Sequence, residues 1–138
     1  MRHTLLLSAA LIAGSAIAAR AQGSIKLSDV AGTWEAKSTV GPNDSVVVTS
    51  VMNATANRKG WTLTYPNRDP IPVRVVAMGG DSVVTEVGPY PSMLRPGQTV
   101  TLLHQVGHYK GDKMTGTFEA HYGSGPVVNG KTEATRKM

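Results

Sequence analysis

The stretch TVTLLHQVGHYKGDKMTGTFEAHY, residues 99–122, decides the fold. It reads as two strands rich in Val, Thr, Leu and aromatic side chains, joined through Lys110-Gly111-Asp112 in a link short enough for a tight hairpin. Successive side chains on a strand point to opposite faces, so each run divides in two. In the first run Val100, Leu102, His104, Val106 and His108 share one side, and Thr101, Leu103, Gln105 and Tyr109 share the other. In the second, Met114, Phe118, Ala120 and Tyr122 stand opposite Thr115, Thr117, Glu119 and His121. One apolar face per strand is what a half-solvated antiparallel sheet requires.

The same texture extends outward from this hairpin. Beyond Ser24 the chain is rich in Val and Thr, Gly or Pro interrupts it at short intervals, and no window carries an apolar period of helical length. Strands are expected at 33–39, 45–53, 61–65, 73–78, 82–87, 99–108, 113–122 and 131–136, with one turn of helix at 26–30 leading into the first. Gly41-Pro42-Asn43-Asp44, Asn57-Arg58-Lys59-Gly60 and Gly79-Gly80-Asp81 supply the turn chemistry between them. The Pro-rich stretches 65–72 and 88–96 read as longer loops or edge segments, because Pro cannot donate to a central ladder. Short links between consecutive strands predict an all-β, antiparallel up-and-down meander of about eight strands. Closing it into a small barrel removes the exposed edges. A β-sandwich of two small sheets fits the same spacing.

Composition narrows the function classes. A length of 138 residues suits one domain, and 41% hydrophobic content with 17% charged residues argues against disorder. The absence of cysteine excludes a disulfide scaffold, a Cys-based zinc site and a cysteine nucleophile. The chain starts Met1-Arg2-His3, runs uncharged and mostly apolar to Ile17, and reaches Ala19-Arg20-Ala21, which together read as a secretory signal peptide. Residues 1–21 are therefore expected to be removed, leaving 22–138 as a single secreted or periplasmic domain. The apolar run is shorter than the ~20 residues that span a bilayer, so no stable membrane span is expected after cleavage. Of the 14 Lys and Arg, Arg2 and Arg20 leave with the signal, so twelve bases face nine acids. Those bases are scattered along the chain, which speaks against a nucleic-acid partner.

A local echo adds detail. Gly32-Thr33-Trp34-Glu35-Ala36-Lys37 returns as Gly116-Thr117-Phe118-Glu119-Ala120-His121, each copy placing Gly, aromatic and Ala on one face. Gly32-Thr33-Trp34 at the start of the first strand resembles the Gly-x-Trp signature of the lipocalin and wider calycin superfamily. Gly116-Thr117-Phe118 is similar to the late-strand motif of avidin-like barrels in that superfamily. The resemblance implies a barrel closed at one end by Trp34, with Arg136 near the last strand stacked on it as a cation over a ring. It also implies a cavity at the other end for a small apolar molecule.

Few residues suggest chemistry. His104 and His108 lie four apart on a strand, about 13 Å at ~3.3 Å per residue, too far to share one metal ion. Gly123-Ser124-Gly125 lacks the spacing of a nucleophile elbow, and no acid, base and nucleophile converge, so neither catalytic residues nor a cofactor are expected. The aromatic residues Trp61, Tyr65, Tyr90, Tyr109, Phe118 and Tyr122 are candidates for pocket walls. Trp61, Tyr65, Phe118 and the pH-sensitive His104 are taken as the ligand contacts. The expectation is an exported, non-enzymatic protein that holds a small apolar ligand. The alternative is an accessory or inhibitor protein that binds another protein through Tyr90, Met93 and Leu94 in an exposed 88–96 loop.

Overall fold

The structure, a computed structural model, describes residues 24–137 apart from 42, 44, 124 and 126. The expected signal segment lies outside the described residues. One helical turn, α1 (Leu27–Val30), precedes strands β1 (Gly32–Val40), β2 (Val46–Ala54), β3 (Thr62–Thr64), β4 (Ile71–Gly79) and β5 (Ser82–Val87). They are followed by β6 (Tyr90–Pro91), β7 (Thr99–Lys110), β8 (Lys113–Tyr122) and β9 (Val128–Arg136). Every strand pairs antiparallel with its neighbour, in the order β5-β4-β3-β2-β1-β9-β8-β7-β6.

The sheet then closes on itself. β5 pairs with β7 from Ser82↔His108 to Val87↔Leu103, and two-residue β6 takes over the same edge of β7 at Tyr90↔Val100. The eight strands other than β6 therefore form a closed antiparallel barrel, and the sandwich arrangement is set aside. Two hairpins, β4–β5 and β7–β8, turn through Gly80-Asp81 and Gly111-Asp112. Gly80 and Gly111 take positive φ of 57° and 62°, a conformation nearly free for glycine alone.

One expectation about faces is corrected. Between Val100 and Leu102 the register of β7 against β8 shifts by one residue. A bulge of this kind inverts the alternation. Val100 thus points inward together with Leu103 and Tyr109, whereas Leu102, His104, Val106 and His108 lie on the outer side. No comparable shift occurs along β8, where Phe118, Ala120 and Tyr122 are buried and Thr117 and Glu119 exposed.

The two ends of the barrel differ. At one end α1 and the β7–β8 turn pack around Trp34, which is 1% exposed. Its indole nitrogen donates to the Val30 carbonyl at 2.8 Å, and the Tyr109 ring meets it edge-on at 5.1 Å. The Arg136 guanidinium carbon lies 4.7 Å from the Trp34 ring centroid. The same guanidinium donates to the carbonyls of Ala31, Asp29 and Gly111 and to the Asp112 carboxylate, at 2.7–2.9 Å. This end is a sealed floor.

Candidate functional site

The opposite end is covered by the segment that follows β5. Tyr90 joins the sheet through Val100, and the Ser92 amide donates to the Gln98 carbonyl at 2.9 Å, so the segment returns across the barrel mouth. Ser92 organises the turn. Its hydroxyl accepts from the amides of Leu94 (3.1 Å) and Arg95 (3.0 Å) and bonds the Tyr122 hydroxyl at 2.7 Å. Arg68 donates to the Pro91 carbonyl at 2.6 Å and Arg74 to the Gly88 carbonyl at 3.2 Å, fastening the segment to the rim. Arg95 lies over the Tyr122 ring at 4.7 Å. This is a lid held by hydrogen bonds.

Beneath it is a cavity of about 40 Å³. Val100, Leu103 and Phe118 form apolar wall, Met93 and Leu94 close it from the lid, and Ser38, Ser50 and Gln105 add polar groups. At ~10–15 Å³ per water, the closed cavity has room for about three waters. Tyr65 and Tyr90 share a hydrogen bond of 3.1 Å between their hydroxyls at its edge. Burial raises both phenol pKa values above the ordinary range, in Tyr90 reinforced by the charge Tyr65 would carry. Both are therefore neutral hydrogen-bonding groups at physiological pH.

The expected site residues are only partly brought together. Tyr65 and Phe118 line this cavity, as do Tyr90 and Tyr122. Trp61 does not. It is buried at the Trp34 end, where its indole donates to the Asn57 carbonyl at 2.8 Å. His104 does not either, because the β7 bulge turns it outward to meet Glu86 at 3.2 Å. Tyr90, Met93 and Leu94, read from sequence as an exposed interface, are tucked into the lid, with Tyr90 only 6% exposed. Proline content marked the segment as irregular but carried no information on where it packs. Ser92 and Gln105 went unrecognised, since an isolated Ser or Gln has no signature of its own.

The outer surface carries two further histidine–carboxylate pairs. His108 contacts Asp81 at 3.1 Å, and His121 contacts Glu119 at 3.4 Å. The hydrogen bond from His108 holds the Asp81 carboxyl below its usual pKa. Among the described residues no three His, Cys, Asp or Glu side chains are placed to hold a metal ion, and no helix is long and apolar enough to cross a membrane.

No known family model matches this sequence, and no curated protein matches it. Among solved structures the chain is similar to the crystal structure of Rv2717c from M. tuberculosis, with 12% sequence identity and a TM-score of 0.44, over 81% of this chain and 95% of that one.

Proposed function

We propose that this protein is an exported, calycin-like, single-domain binding protein, residues 22–138, that takes a small, largely apolar ligand into the lid end of its barrel. The observation that carries this reading is the cavity beneath Tyr90, Met93 and Leu94, walled by Val100, Leu103 and Phe118. Ligand sites of ordinary size occupy ~300–1,000 Å³, so the ligand enters by displacing the lid. The lid is suited to this, since polar contacts from Ser92, Arg68 and Arg74 hold it. The basic, apolar and small-residue pattern of residues 1–21 supports export.

Native mass spectrometry of the mature protein from its own host tests the reading. A co-purifying small organic mass is expected, lost when Met93→Asp and Leu94→Asp are combined. A bare protein mass, with no small molecule able to protect the lid from proteolysis, would overturn it. A second reading, an accessory protein acting through its surface, draws on Val46, Val47 and Val127, which are 44%, 55% and 40% exposed. A co-purifying polypeptide released by Val47→Asp would favour it.

A further inference from the structure

Below the lid cavity two more small voids, of about 20 Å³ each, lie among the barrel side chains. Gln105 borders all three spaces, and Ser38 and Ser50 border the lid cavity and one of the lower voids. The polar groups therefore sit at the waist of the barrel, between the apolar lid compartment and the Trp34 floor. Burying such groups costs free energy unless each finds a partner. Ser38 has one, the Thr132 hydroxyl at 3.0 Å. Gln105 uses one end of its carboxamide, receiving the Thr85 hydroxyl at a long 3.5 Å.

The other end of the Gln105 carboxamide and the Ser50 hydroxyl bond to none of the described side chains or carbonyls. Among the described residues no fully enclosed side-chain nitrogen or oxygen lacks a partner, and Gln105 and Ser50 both line these spaces, so these two groups face the voids. Charge is absent here: among the described residues no Asp, Glu, Lys, Arg or His borders any of the three spaces. Hydrocarbon alone would leave the waist unsatisfied, and a carboxylate or ammonium would be buried without a counter-ion. A neutral group that hydrogen-bonds meets both conditions.

Resting on the reading that the barrel holds a guest, we infer that Gln105 and Ser50 form a mid-barrel subsite for an uncharged polar group, a ketone, ester or hydroxyl, at the inner end of an otherwise apolar ligand. Three probes of nearly equal shape test it on the full mature protein: acetophenone, ethylbenzene and benzoate, titrated by NMR. Acetophenone is expected to move the Gln105 side-chain amide signals and to shift its own carbonyl carbon resonance downfield. Gln105→Leu should weaken acetophenone about tenfold, the value of one lost hydrogen bond, while ethylbenzene holds or gains affinity. Benzoate should stay out.

Equal effects of Gln105→Leu on acetophenone and ethylbenzene, or benzoate binding as well as acetophenone, would overturn the subsite and leave the ligand reading intact. Failure of all three probes to enter would remove both. Should Gln105→Leu not fold, the carbonyl shift of acetophenone in the unaltered protein decides alone.

Discussion

Trp34 concentrates the energetics of the closed end in one side chain. It is almost fully buried, bonded to Val30, edge-stacked by Tyr109 and covered by Arg136. Trp34→Ala should therefore cost about 3–5 kcal/mol in urea unfolding, as large aromatic truncations do. A loss under about 1 kcal/mol would show that the floor does not depend on this ring. Tyr109 makes a separate prediction. Burial pushes its phenol up to about 12 from 10.0, so the folded state holds the proton more tightly than the unfolded chain. That stabilisation is complete below pH 10 and is lost as the pH rises through 12. Tyr109→Phe, which keeps the ring on Trp34 but has nothing to ionise, should lessen the loss of stability between pH 10 and 12. Identical alkaline unfolding curves for the two proteins would contradict this.

At the scale of elements, one tight spot is where β7 and β8 pair at Gly107↔Gly116. A Cβ at Gly116 would run into the Val106 carbonyl oxygen, which belongs to the neighbouring backbone and has nowhere to swing. Gly116→Ala should thus destabilise by about 1–3 kcal/mol or more, despite adding only a methyl group. Circular dichroism melts would read this, and an unchanged melting temperature would mean that the strands can part locally at no cost. The Gly116-Thr117-Phe118 echo was legible in the sequence because glycine and aromatic residues on one face are visible at period two. The register shift at Val100/Leu102 was not, since a bulge needs only one unpaired residue and Thr101 suits a regular strand equally well. That single residue turns His104 away from the interior and brings Leu103 and Gln105 to it. The strand positions survived the error because they rest on turn chemistry, whereas face assignments accumulate every slip along the strand.

For the whole molecule, the consequence is a barrel with unequal ends. The floor combines a buried tryptophan, an arginine bonded to four acceptors and a helical turn. The lid end holds the larger void, and of its apolar side chains Tyr90 is buried while Met93 and Leu94 are only half-buried. Local stability follows buried contact, so opening should begin at the lid and leave the floor intact. Native-state hydrogen exchange measures this directly. The Leu94 and Gln98 amides, bonded within the lid, are expected to exchange well before the Arg136 amide, which is bonded to the Asp112 carbonyl at the floor. Ser92→Ala removes the hydroxyl that gathers Leu94, Arg95 and Tyr122, so it should speed exchange across the lid about tenfold. Rates at the floor should not change, because no contact of Ser92 reaches it. Acceleration spread evenly over both ends would mean that the barrel opens only as one cooperative unit, and the lid could then admit a ligand only through global unfolding.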